Sequence, residues 1–350
     1  MKKTLFITSA MVSSLLLSSG AALSAEWDVK LGGHMNQYIG FSATDRLDGT
    51  AVSDVDVQSD AEIHFLPAIT LENGMEFGIQ VVLPAKTDDD QIDEAFLFVK
   101  GNFGELILGD ADGASEAMHY GLGSQGLGLS DAKNWVLDLS GELSGTGNFD
   151  NIDADSAKIR LISPRFSGVQ VGLSYAPEAT EDDDGFPTEA TNGGATAEGI
   201  VQGAINYDGK LGNAEFGISG AIQVAMDGND VTGDNFLMTA VGANLALNQY
   251  TLSGAYSFEI DPAAGIDNRY NVGASVEYSD GPVGVSIGLI YAKEESNTGV
   301  NDTQLTIELG GSYSLGPGVS AVGSIFYGNM QDASDKANGF AAVGGVALSF

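Results

Sequence analysis

The amino-acid sequence predicts an all-β protein, a transmembrane barrel of about sixteen antiparallel strands. Three observations carry this. Strict two-residue alternation of apolar and polar side chains recurs from residue 26 to the end. The connections between the alternating stretches are short and long in turn, and one face of the stretches is apolar and free of charge.

The first 25 residues leave the fold argument as a signal peptide, with the barrel domain running over 26–350. Lys2 and Lys3 form a positive start, Leu5 to Leu17 an apolar run, and Ala25 a small residue before a cleavage point. Cleavage after Ala22, with Gly20 three positions back, is the alternative, because Leu23 is large for that place. The apolar run is too short for a membrane anchor and is followed directly by Glu26-Trp27-Asp28. Export removes two lysines and no acid.

Alternation is clearest over 269–279, where Tyr270, Val272, Ala274, Val276 and Tyr278 share one face and Arg269, Asn271, Ser275 and Glu277 the other. Beyond Asp280-Gly281-Pro282 the apolar face continues through Val283, Val285, Ile287, Leu289 and Tyr291, and again through Leu305, Ile307, Leu309 and Tyr313. Asn235 to Phe258 carries no charge and has the length of a membrane helix, but Asn248-Gln249 divides it into two alternating halves, so it reads as a hairpin. Strands are expected to start near 27, 57, 75, 92, 105, 156, 169, 199, 214, 237, 250, 269, 283, 303, 319 and 338, each within about three residues.

Short connections are Glu72-Asn73-Gly74, Gly101 to Gly104, the turn around Pro164, Asn248-Gln249, Asp280 to Pro282 and Leu315 to Gly318. Longer acidic loops lie near 42–55, 84–91, 177–198, 226–235, 261–268, 293–302 and 329–337. A soluble sandwich has no reason to collect its long loops at one end. An outer-membrane barrel does, with periplasmic turns and extracellular loops.

Desolvation chooses the face that meets lipid, since Lys or Arg at the membrane midplane costs about 2–4 kcal/mol. The charge-free faces therefore point outward. Tyr270 and Tyr278 are eight residues apart, as are Tyr250 and Phe258. At about 3.3 Å per residue and a tilt near 40°, that separation spans roughly 20 Å along the normal, the spacing of two aromatic girdles.

Composition narrows the function. With 14 Lys+Arg against 48 Asp+Glu the chain repels phosphates, so nucleic acid is not a partner. The absence of cysteine excludes disulfides and thiolate chemistry, and three histidines (His34, His64 and His119) argue against a histidine-rich metal site. Gly121 to Gly126 matches a dinucleotide pattern without the strand-to-helix context it needs, and reads as loop flexibility. Asp182-Asp183-Asp184-Gly185 and Asp227 to Asn235 could offer carboxylates to Ca2+ but lack EF-hand spacing, so no cofactor is expected.

The start Glu26-Trp27-Asp28-Val29-Lys30-Leu31-Gly32-Gly33, the run Gly101 to Gly109 with Asp112-Gly113-Ala114 behind it, and the final Phe350 after Val346 and Leu348 resemble the general diffusion porins of Gram-negative bacteria, most of all the alphaproteobacterial branch. The resemblance covers the mature chain. It implies a homotrimer in the outer membrane, in contact with its lipid and lipopolysaccharide, assembled by the barrel-assembly machinery through Phe350, and passing small hydrophilic solutes. It also implies a third loop folded into the barrel, and the connection 110–155, far longer than the others, is the candidate.

That loop carries Asp110, Asp112, Glu116, Asp131, Asp138 and Glu142, opposed only by Lys133. Alternation turns Asp28, Lys30, His34, Asn36, Asp60, Glu62, His64, Lys158 and Arg160 inward. In the resembled family acidic loop groups face basic wall groups, a role carried over to Lys30, Lys158 and Arg160. So few bases predict a weak transverse field and, with acids in excess, a cation-selective passage. Glu181 to Asp184 and Asp227 to Asp234 read as solvated extracellular loop charges. A substrate-selective channel would need an aromatic slide, for which Phe96, Phe98 and Phe326 are the inward candidates. A barrel enzyme or adhesin would need a nucleophile–base pair or long aromatic loops, and the sequence offers neither.

Overall fold

A computed structural model describes residues 26–45, 51–85, 92–136, 152–153, 155–179, 197–227, 236–263, 265–299, 301–332 and 336–350. The leader 1–25 lies outside them, as do Asp138, Glu142 and the acidic runs Glu181 to Asp184 and 228–235. Sixteen strands form one closed antiparallel barrel, each hydrogen-bonded to its neighbours in sequence and the last to the first. They are β1 Asp28–Asp45, β2 Ala51–Thr70, β3 Glu76–Pro84, β4 Glu94–Gly101, β5 Gly104–Asp110, β6 Ala157–Ile162, β7 Val169–Glu178 and β8 Glu198–Leu211. There follow β9 Ala214–Asp227, β10 Leu237–Leu247, β11 Tyr250–Ala263, β12 Ile266–Asp280, β13 Val283–Ser296, β14 Asn301–Gly316, β15 Val319–Gln331 and β16 Lys336–Ser349.

Closure leaves no open sheet edge, the condition for backbone in hydrocarbon. It is completed at the chain's end. Phe350 N–H donates to the Gly33 carbonyl at 3.1 Å, and Gly33 N–H donates to the Phe350 carbonyl at 3.2 Å. Gly33 also passes so close to β2 that a Cβ there would stand 2.3 Å from the Glu62 carbonyl oxygen.

The apolar faces read from the sequence are the outer ones: Val272, Val276, Val285, Ile287, Leu289, Leu309 and Tyr313 are all exposed. Tyr250 pairs with Tyr278 and Phe258 with Tyr270 across β11 and β12, each with ring centroids 5.1 Å apart. The two aromatic pairs cap the two ends of one lipid-facing hairpin.

Fifteen of the sixteen expected strand starts fall within three residues of those observed, and β2 is the exception, starting at Ala51 rather than near 57. Val55 and Val57 continue its outer face while Asp54 and Asp56 turn inward, so acids taken for a loop at 42–55 belong to a paired strand. The same correction shortens the connections expected at 261–268, 293–302 and 329–337, where β11 to β16 pair almost to their tips. Acidic residues on an inward face are wetted by the lumen and do not end a strand. The wide connections at this end are those after β3, β5, β7 and β9.

Candidate pore constriction

The connection between β5 and β6 enters the barrel and follows its inner wall. It begins with a single helical turn, α1 (Ala114–Met118), and later forms a second, α2 (Ala132–Trp135). Irregular backbone inside a barrel needs partners for its N–H groups. Serines supply them. Ala114 N–H donates to Ser174 Oγ on β7 (2.9 Å), Tyr120 N–H to Ser219 Oγ on β9 (2.8 Å) and Gly123 N–H to Ser275 Oγ on β12 (3.1 Å). Gln125 N–H donates to Ser286 Oγ on β13 (2.8 Å) and Leu127 N–H to Ser324 Oγ on β15 (2.8 Å).

The segment then reaches β1 and β2. Thr44 Oγ1 donates to the Val136 carbonyl at 2.9 Å, and Gln58 Nε2 donates to the Asn134 carbonyl at 3.1 Å. The described part of the loop is therefore a belt lying against the wall from β7 round to β2, not a strut across the lumen. Ser174, Ser219, Ser275 and Ser324 each stand five positions in from the short-turn ends at Val169, Ala214, Asp280 and Val319, so the loop meets these four strands at matching positions. Close approach sets two glycines. A Cβ at Gly242 would be 1.9 Å from the Tyr120 carbonyl oxygen, and one at Gly40 would be 2.4 Å from the Trp135 ring.

Two patches of the wall beneath the belt are apolar. Trp135, Val136 and Ala132 pack on Phe326, Ala341 and Val343, while Phe96 and Phe98 pack with Ile107 and Ala111. The three phenylalanines considered for an aromatic slide do face inward, but they are buried under the loop rather than open to a passing solute.

The root of the belt is a buried polar network. Lys158 Nζ donates to the Ala111 carbonyl and lies 3.6 Å from Asp153 Oδ2. Arg160 Nη1 donates to the Asp112 carbonyl at 2.6 Å, and its other terminal nitrogen lies 3.6 Å from Glu105 Oε1. Gln202 on β8 joins both limbs, accepting from Ser115 N–H at 3.0 Å and donating to Asp153 Oδ1 at 2.6 Å. The two bases carried over as charges facing the loop across an eyelet instead hold the loop's ends to the wall. Lys30, the third, pairs with Asp28 at 3.4 Å at the short-turn end of β1.

The loop acids are spread along the belt. Asp110 closes β5, Glu116 is exposed on α1, and Asp131 precedes α2 near Tyr38 and β1. Asp112 gathers with Glu94 and Asp155. Burial, reinforced by Asp112, Asp93 and Glu94, pushes the Asp155 carboxyl up to about 7. On β1 and β2 Asp60 and Glu62 stand beside His34 and His64: His34 Nε2 lies 3.1 Å from Asp60 Oδ2, and His64 Nε2 lies 2.8 Å from Glu62 Oε2. Sequence reading did not single out the buried cluster in which Arg269 reaches Glu259 at 2.9 Å and Glu294 at 2.6 Å. It also missed the serine ring, whose one sequence signal is a small hydroxyl at inward positions of several strands.

Residues 8–336 match the family described as Gram-negative porin. Among curated proteins nothing matches the chain. Among solved structures, OmpT of Vibrio cholerae in a trimer form is 15% identical with a TM-score of 0.66, covering 93% of this chain and 99% of that one. OmpF of Salmonella typhi in complex with daunomycin is 16% identical with a TM-score of 0.64, covering 92% and 98%. The anion-selective porin from Comamonas acidovorans is 16% identical with a TM-score of 0.63, covering 93% and 100%. At these identities the likeness is one of fold, and it matches the sixteen-stranded closure described above. The chain, matched over most of its length, belongs to the Gram-negative porin family.

Proposed function

We propose that this outer-membrane barrel is a general diffusion channel, a passive water-filled passage for small hydrophilic solutes and ions that prefers cations and does no chemistry. The observation that carries the reading is the belt. The described part of the loop is held along the wall by successive serine hydroxyls rather than laid across the barrel, which supports a passage that is narrowed and open. Support for cation preference is electrostatic. Lys158, Arg160 and Arg269 are engaged by carbonyls and carboxylates, while Asp60, Glu62, Glu116 and Asp131 line the inner wall and the belt. Carboxylates around a constriction attract cations at short range, where salt screens least.

The reading includes export by the 1–25 leader, assembly through Phe350 and a homotrimer surrounded by outer-membrane lipid and lipopolysaccharide. The trimer is supported by the trimeric form of the Vibrio cholerae relative. Swelling of proteoliposomes in a series of neutral sugars tests it. Rates that fall smoothly with sugar size support general diffusion. One sugar entering out of size order would make the channel substrate-selective, and no swelling would overturn the open passage.

A further inference from the structure

The wall of β1 and β2 holds two histidines, His34 and His64, that the channel reading does not use, beside a carboxylate that it does. His34 on β1 stands directly opposite Glu62 on β2, and His64 follows Glu62 by two residues on the same inward face. The partner of His64 across the ladder is Gly32, so no opposing side chain separates the two imidazoles. One ligand atom from each of His34, Glu62 and His64 falls within 4.8 Å of the other two. All three side chains are part-exposed, at 27%, 30% and 26%, so the group is open to lumen water.

The geometry points to a binding site for a divalent transition-metal ion of borderline softness, with His34 Nδ1, His64 Nε2 and Glu62 Oε2 as its ligands. Two imidazoles and one carboxylate, with a position left for water, form a donor set that Zn2+ accepts. Ligands on one tetrahedral zinc lie roughly 3.4 Å apart, given bonds of about 2.0–2.2 Å. Here Glu62 Oε2 is 3.7 Å from His34 Nδ1 and 2.8 Å from His64 Nε2, a spacing that brackets that value.

Asp60 supplies the independent argument. A carboxylate only accepts, so the 3.1 Å contact between His34 Nε2 and Asp60 Oδ2 puts the His34 proton on Nε2. The neutral ring then carries its lone pair on Nδ1, the atom turned toward Glu62. Asp60 is itself fixed by Asn36 Nδ2, which donates to the same oxygen at 3.0 Å. A carboxylate behind a ligating histidine is the arrangement that orients metal-binding imidazoles. By the same acceptor rule the 2.8 Å contact with Glu62 Oε2 puts the His64 proton on Nε2 in the metal-free chain. The ion displaces that proton: His64 passes to its Nδ1–H tautomer, and Nε2 and Glu62 then both face the metal. A bound dication would place positive charge on the acidic wall and weaken its attraction for K+.

Calorimetric titration of the refolded, detergent-solubilised full barrel with ZnCl2, in excess Mg2+ to occupy acidic loops, tests this apart from any channel activity. The expected result is one Zn2+ per chain, lost in His34→Ala/His64→Ala and weakened about tenfold or more in Asp60→Asn, the range for losing a supporting carboxylate. In bilayers the same zinc lowers the K+ preference of the native chain and leaves that of the double variant unchanged. Equal zinc uptake by native chain and double variant would overturn the site by assigning the ion to other acids, and so would no stoichiometric uptake at all. The circular dichroism and heat stability of the variants establish that they fold.

Discussion

The side chains of Lys158 and Asp153, 3.6 Å apart and almost wholly shielded from solvent, join β6 to the returning limb of the loop, while the same Lys158 nitrogen donates to the Ala111 carbonyl on the outgoing limb. One side chain thus ties both ends of the belt to the wall. Removing one member of a buried pair leaves the other uncompensated, at a cost of about 3–5 kcal/mol. Lys158→Met is expected to loosen the loop while leaving the strand ladder intact. Single-channel records would show larger and noisier currents, with the barrel's β circular dichroism unchanged. Quiet currents of native size would contradict this role.

Asp155 provides a pH dependence. Its carboxyl, ordinarily near 3.8, is pushed up to about 7 by burial and by Asp112, Asp93 and Glu94. Between these values the folded chain holds a proton that the unfolded chain has released, so stability falls as pH rises from about 4 to 7. Deprotonation also adds a negative charge beside Asp112. K+ preference is expected to rise with an inflection near pH 7, and Asp155→Asn is expected to flatten that rise and to improve heat stability at alkaline pH. Matched selectivity profiles of native chain and variant from pH 5 to 9 check it, and an identical inflection in both would remove Asp155 from the account.

Ser219 accepts the Tyr120 N–H at 2.8 Å, and Ser275 accepts the Gly123 N–H at 3.1 Å. Orphaning a buried donor costs about 1–3 kcal/mol. Ser219→Ala with Ser275→Ala is expected to raise amide hydrogen exchange in residues 119–124 and leave the β9 and β12 ladders protected. Unchanged exchange in the loop would mean that the serines do not hold it.

Ala274 lies on the lipid-facing side midway between Tyr270 and Tyr278. Arginine there is expected to destabilise the barrel in lipid by about 2–4 kcal/mol. Arginine at Asn338 or Asp45, on strand ends beyond the girdles, is expected to cost far less. Reversible urea unfolding in bilayers measures the difference, and equal costs would put the hydrocarbon band in the wrong place.

Barrel class, strand parity and the outer face were legible in the sequence because each rests on local alternation: Val272 and Asn271 declare their faces without reference to any partner. Loop lengths were less legible, since Asp54 reads as a solvated loop acid until the lumen is known to wet one side of β2. That Lys158 and Arg160 turn inward was legible from alternation, but their partners were not. That Lys158 reaches Ala111 and Asp153, or that His34 faces Glu62, depends on register between strands and on the path of the loop, both set by long-range packing. Parity turns Arg160 inward, but it does not say that the guanidinium is taken up by the Asp112 carbonyl.

The most direct test is the conductance of the refolded chain in a planar bilayer under a KCl gradient. An open trimeric channel whose acids outweigh its engaged bases predicts closure in three steps and a reversal potential favouring K+. A reversal potential favouring Cl−, or a membrane that stays silent, would contradict it.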